Sequence, residues 1–293
     1  MATSRSWWIL VFLALVTLPT TGQQTSPQTG FLHAEIQKVY GFQPHTLNDT
    51  QITEKSAVLD RFWSEAKSHR DVYLPELRRE LADYSNPPFF FFDGSQLLLS
   101  LSHEPTDRKI VLAAVAHTDL RDIQSKDYFL LVQSMAAEGE DTTAAAFHIL
   151  EEPKFQVFIP QHSLTLGQDY CLVYMLLPTS PDFWIQPAIE RLRSETDVTA
   201  QKSLLLVLWY AQTPASDKAI VEFSTSSPAK PEASGAYAND LIHRKDQIPA
   251  SMGASTQTEE SLREARRARM KAVSDEALED LDSYTAKIIV KRK

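Results

Sequence analysis

Apolar residues recur at three- and four-residue spacing through most of this 293-residue chain, and prolines punctuate the pattern. That spacing lines one face of a helix, so it constrains the fold more than any other feature. Val58, Leu59, Phe62, Trp63 and Ala66 share a face across 54–69. Leu74, Leu77 and Leu81 repeat the pattern across 74–82. Further helices are expected at 96–101, 107–117, 128–137, 142–150, 169–177, 183–192 and 198–211. At least seven helices are therefore expected between Glu54 and Phe223. The breaks fall at Asn86-Pro87-Pro88, Glu104-Pro105, Gly139, Pro153, Pro160, Pro178, Pro181 and Pro214. With 8 glycines in the whole chain, turn-rich β architectures and glycine-loop nucleotide sites are disfavoured. Only 155–159 reads as β-like. The expected class is all-α.

Helix starts share one chemistry. Asp107, Asp182 and Asp217 each follow a proline, and each precedes an isoleucine by three residues. An aspartate N-cap followed by an apolar residue that opens the buried face explains the pattern. A longer self-similarity accompanies it. Pro75-Glu-Leu77 resembles Pro187-Ala-Ile189. The run 97–101 resembles 204–208, and Asp107-Arg-Lys-Ile110-Val111 resembles Asp217-Lys-Ala-Ile220-Val221. Three blocks in one order at nearly one offset indicate an internal repeat.

The segment 188–208, running from Ala188-Ile189 through Asp197-Val198 and Lys202 to Leu208, resembles a HEAT-type helical repeat. An apolar helix there ends at an Asp-containing turn, and a valine and a basic residue open the next. The segment 131–150, with Asp141 at its turn, is a looser match without the basic residue. The resemblance covers about 73–223. It implies an irregular HEAT-like α-solenoid and carries no catalytic residue. The alternative is an irregular helical-repeat bundle. Stacked helix pairs bury a continuous core and leave a surface suited to holding a partner.

The N-terminus reads as an address. Arg5 precedes an apolar run from Trp7, then Pro19, Thr20, Thr21 and Gly22. A positive start, an apolar stretch of about twelve residues and small residues at the end make a signal peptide of residues 1–22. The run is short for a membrane span, which takes about 17–25 residues. No membrane span is expected after cleavage, and the destination is secreted or periplasmic. Residues 31–223 are read as the helical-repeat domain. Residues 224–256, rich in Ser, Ala and Pro, are read as a flexible linker in which Leu241 and Ile242 can still dock. Residues 257–293 are read as a charged C-terminal helix.

Chemistry-bearing patterns are sparse. A single cysteine, Cys171, excludes a disulfide framework and a Cys-based zinc site, and reads as a buried small hydrophobe. A net charge of −9 argues against a general nucleic-acid binder. Ser64-x-x-Lys67 has the spacing of a serine-acylating motif, but its companion motifs are absent. The eight histidines include no pair at helical ligand spacing. His117, Asp119 and Asp122 form the best cluster, at a helix exit where dipole and capping roles suffice. Asn48-Asp-Thr50 fits an N-glycosylation acceptor. No catalytic, metal or cofactor residue is expected, and no cofactor.

Two features point to partners. Phe89, Phe90, Phe91 and Phe92 follow Pro87-Pro88, either as a sticky exposed patch or as a loop crossing the core, with core filling favoured. Arg263, Arg266, Arg267 and Arg269 crowd the start of the C-terminal zone ahead of Asp275, Glu276, Glu279, Asp280 and Asp282. Basic half against acidic half permits self-association of two copies. The expected function is a non-enzymatic exported scaffold that binds a protein. The alternative is an enzyme acting on a cell-envelope or extracellular polymer through a carboxylate pair in a helical cleft.

Overall fold

Twelve α-helices and one small hairpin make up the described residues of the computed structural model, which are 30–40, 49–102, 104–121, 125–159, 164–226 and 232–244. Residues 1–22, read above as a signal peptide, and the charged zone 257–293 lie outside them. In chain order the helices are α1 (Phe31–Tyr40), α2 (Asp49–Ser68), α3 (Arg70–Ala82), α4 (Pro88–Leu101), α5 (Pro105–His117) and α6 (Ser125–Ala137). After them come α7 (Thr143–His148) with a 3-10 turn (Ile149–Glu151), then β1 (Gln156–Ile159) and β2 (Leu164–Gly167). The chain continues through α8 (Gln168–Leu176), α9 (Pro181–Ser194), α10 (Val198–Ala211), α11 (Pro214–Thr225) and α12 (Glu232–Arg244). The all-α class holds.

Helix starts are set by proline more than by aspartate. Pro88, Pro105, Pro181 and Pro214 each occupy the first turn of α4, α5, α9 and α11. Proline tolerates that position because its missing N–H has no intrahelical partner there. The expected aspartate caps are displaced inward: Asp107, Asp182 and Asp217 lie in the first turn, behind Glu104, Ser180 and Thr213. Thr213 forms a reciprocal capping box with Ser216. Asp197 does cap, accepting the Ala200 amide at 2.8 Å.

Three elements differ from the sequence expectation. Helix α4 starts at Pro88, not near residue 96, so the phenylalanine run is helical rather than a loop. The β-like piece gains an antiparallel partner, with Val157 opposite Leu166 and Phe158 opposite Thr165. Val157 and Leu166 turn inward, whereas Phe158 is 55% exposed. Within 224–256, expected as linker, α12 packs on α10 and α11 and buries Ala238 and Leu241. Ser234 donates to Gln201 at 2.5 Å beneath it.

Two sets of four helices have similar lengths in the same order. Helices α3, α4, α5 and α6 have 13, 14, 13 and 13 residues. Helices α9, α10, α11 and α12 come in the same order with 14, 14, 12 and 13. The first three helices of each set also pack on one another in the same pairs. One hydrophobic cluster runs through both sets, with Trp184, Tyr128, Phe90 and Phe129 among its largest fully buried members. Cys171 is buried in it, and burial pushes its thiol well above the usual range.

Candidate functional site

The aromatic run is the first turn and a half of α4. Successive side chains on a helix step around its axis by about 100°, so four in a row cannot share a face. Phe90 and Phe91 point into the core and are buried, while Phe89 and Phe92 flank it half-buried. Phe90 meets the edge of Tyr40, ring centroids 5.8 Å apart. Gly94, one turn on, makes that placement possible: a Cβ there would lie 2.9 Å from Phe90 Cζ. Phe91 leans on Tyr84, and Tyr84 stacks flat on His117 at 3.9 Å. His117 is thus held by an aromatic ring and by the Ala113 carbonyl, 2.7 Å from Nδ1.

Titratable groups gather beside this turn. The Tyr40 hydroxyl donates to Asp93 Oδ2 at 2.8 Å, joining α1 to α4. Burial and the adjacent Asp93 carboxylate push the Tyr40 hydroxyl well above its ordinary value. On α6, burial pushes the Asp127 carboxyl up to about 6, and the Asp93 charge adds to the shift against the pull of Lys126. Asp93 thus carries a bonded tyrosine, and its charge reaches Asp127 on the neighbouring helix α6. The adjacent void between Phe91, Phe92, Val115, Thr118, Tyr128 and Leu131 measures about 10 Å³, room for about one water.

A second polar seam joins α1 to α3. Glu76 and Glu80 are both 3% exposed, one helical turn apart. His33 Nδ1 lies 3.0 Å from Glu80 Oε2, and Asn86 Nδ2 and Arg79 donate to the same carboxylate at 3.2 and 3.1 Å. Burial pushes the Glu80 carboxyl up, but these bonds outweigh it and hold the group below the usual range. Glu80 raises the His33 imidazole in return, through their hydrogen bond first. A third cluster ties α3 to α5: Arg78 donates to Asp107 at 2.6 and 2.8 Å and to Glu104 at 2.8 Å.

Glu76, Glu80 and Asp93 escaped sequence reading because each sits beside an apolar residue that sets the helical face. Glu76 and Glu80 adjoin Leu77 and Leu81, and Asp93 ends the phenylalanine run. An acid pair four residues apart along a leucine stripe is the signal that marks them.

The remaining candidates are dispersed. Ser64 and Lys67 lie on exposed α2, with Lys67 5.6 Å from the Trp63 ring. Asp119 pairs with its neighbour Arg121 at 2.5 Å, and Asp122 lies outside the described residues. Among the described residues no group of three His, Cys, Asp or Glu is placed to hold a metal ion, and no helix is long and apolar enough to cross a membrane. Arg263, Arg266, Arg267 and Arg269 lie outside the described residues. Neither family models, curated proteins nor solved structures gave a match to this chain.

Proposed function

We propose that this chain is an exported, non-enzymatic helical-repeat protein of HEAT-like type that holds another protein. The observation that carries this reading is the recurrence of a four-helix set, α3–α6 and again α9–α12. Repetition of one packing unit builds an extended surface without building a cleft, and such surfaces serve as scaffolds. Exposed rings occur at Tyr84 ahead of α4, at Phe158 on β1, at Tyr170 on α8 and at Phe183 on α9. Aromatic residues anchor protein interfaces more often than other side chains do. Export rests on the N-terminal pattern, and self-association through the C-terminal zone is part of the same proposal.

The test immobilises the full chain and challenges it with exported proteins of its source. A partner retained by the wild-type chain and released by F158A or Y84A supports the reading. Equal retention by every surface variant, or none by the wild type, overturns it. N-terminal sequencing of the exported material is expected to begin near Gln23.

One observation favours the enzymatic alternative, a carboxylate pair acting on an extracellular polymer. Asp127 holds its proton to about 6 beside Asp93, the division of roles that acid–base hydrolysis uses. Release of new chain ends from cell-envelope polysaccharide, abolished by D127N, is the outcome this reading requires. No release by the wild type sinks it.

A further inference from the structure

Helix α3 buries two carboxylates where its counterpart α9 buries apolar side chains. Each helix carries an internal proline, Pro75 or Pro187. Aligned there, Glu76, Leu77 and Glu80 match Ala188, Ile189 and Leu192, and all six are buried. The helical positions themselves thus accept an alanine and a leucine. Replacing buried charge by packed apolar side chains is often neutral or stabilising, so the packing of α3 does not account for its acids. What the first set has in addition is α1, which packs on α2, α3 and α4.

The two acids meet α1 short of positive charge. Arg79 reaches Glu76 at 3.4 Å and Glu80 at 3.1 Å, one guanidinium for two carboxylates, and Glu76 Oε2 is buried without a hydrogen-bond partner. His33 of α1 lies 3.0 Å from Glu80 Oε2 and supplies a second cation when protonated. Its ring is half exposed, so its proton exchanges without opening the fold. Glu80 first, and then Asp83 at the end of α3, raise the imidazole, while Arg79 opposes them. Acids on the other two helices have partners of their own. Glu65 of α2 accepts from Tyr73 at 3.0 Å, and Asp93, the one charged residue of α4, accepts from Tyr40 at 2.8 Å. The Tyr40 hydroxyl keeps its proton well above neutral pH, through burial and the Asp93 charge, so that end of α1 stays tied.

We propose that α1 is a pH-sensitive latch: protonated His33 clamps the helix to the buried Glu80 carboxylate of α3, and loss of that proton releases this end of α1. The two groups act in opposite directions. His33 is raised above its ordinary 6.5, so its stabilisation is complete below 6.5 and is lost as pH rises through the raised value. Burial pushes Glu80 up, yet its bonds hold it below its ordinary 4.5, so its part is present above 4.5 and is lost as pH falls through the lowered value. The latch is therefore tightest between about 4.5 and 6.5 and loosens on the alkaline side. The device is independent of the partner-binding reading, since it involves only contacts within the chain.

Amide hydrogen exchange in the full chain tests the latch. A helix of 10 residues is marginal in water by itself, so exchange of the 31–40 amides reports release of α1. Protection factors, from which the intrinsic pH dependence of exchange is removed, are measured between pH 6 and 9. The wild-type value is expected to fall at least about three-fold across that range. H33K keeps a cation in place throughout and is expected to retain the pH 6 protection at pH 9. H33Q is never charged and is expected to show the lower, pH 9 protection already at pH 6. E80L, which copies Leu192, is expected to dock α1 with protection that does not change with pH. His33 is half exposed, so both of its variants fold even where E80L does not. Wild-type protection that stays constant from pH 6 to 9 overturns the proposal, and so does the wild-type slope in H33Q or H33K.

Discussion

Gln212 carries backbone strain that its side chain does nothing to relieve. Its φ of 52° lies in the left-handed region, and both amide atoms are buried without a hydrogen-bond partner. The cause is the connection between α10 and α11, which spans residues 212–213, against 102–104 between α4 and α5. The shorter connection closes only by a left-handed residue, a place that glycine fills without cost. Q212G is expected to raise stability by about 1 kcal/mol, gaining from released strain and from two unpaired buried atoms while losing some packing. Equilibrium urea unfolding decides it. Asp127 gives the second prediction at this scale. Its folded-state pKa of about 6 lies above the usual carboxylate value of 3.8. The folded state therefore binds the proton more tightly than the unfolded chain does, and stability falls as pH rises from about 4 through 6. D127N removes the penalty, which is at most about 3 kcal/mol. The variant should gain on the wild type progressively between pH 4 and 7, and unfolding at three pH values reads the slope.

Among the elements, the α3–α5 contact depends on one ion pair. Asp107 is fully buried, and burial alone pushes its carboxyl up; the Arg78 guanidinium and the Ser102 hydroxyl reverse that and hold it below the usual range. R78A leaves the carboxylate buried and short of its cation, a loss of about 2–3 kcal/mol once the partial exposure of Arg78 is discounted. The second helix set shows how the position is filled without charge: Ser216 stands in register with Asp107 and closes a capping box with Thr213. The double variant R78M/D107S should therefore be more stable than R78A alone. Helix spacing made these elements readable in advance, since one apolar face suffices to place a helix. Cap identity was less readable, because Pro and Asp lie close together at each start and only backbone geometry separates the first helical residue from the cap. The phenylalanine run misled for a similar reason. Pro87-Pro88 reads as a break, yet Pro88 is a favourable first residue, and its helix uses Gly94 to seat Phe90. The influence of Asp93 on Asp127 was not readable at all, because the two stand on helices α4 and α6, which only the tertiary fold brings together.

At the scale of the whole molecule, the composition change at Ser224 led to the expectation that the folded body ends at Phe223, with the later segment too poor in apolar surface to offset its ordering entropy. Helix α12 changes that balance through where its few apolar residues lie. Ala238 and Leu241 are 0% and 1% exposed, on the side facing α10 and α11. Tyr237 lies against the Lys202 ammonium at 5.9 Å, and Ser234 bonds Gln201, which in turn donates to the Glu195 carbonyl at 2.8 Å. Position outweighs composition here. Two well-placed side chains and a satisfied buried polar pair give this segment a docking face that its composition does not announce. L241A in the full chain should therefore cost about 3 kcal/mol, within the range for burying and then deleting a leucine. For a body of this size that corresponds to a Tm roughly 6–12 °C lower. Truncation after Phe223 should cost at least as much, since it removes the whole helix. If thermal unfolding of L241A matches the wild type within a degree, α12 is a loose appendage and the folded body ends at Phe223 after all. Limited proteolysis gives an independent reading of the same boundary. A docked α12 is expected to stay with the core after limited proteolysis, whereas a loosely attached α12 would be released first.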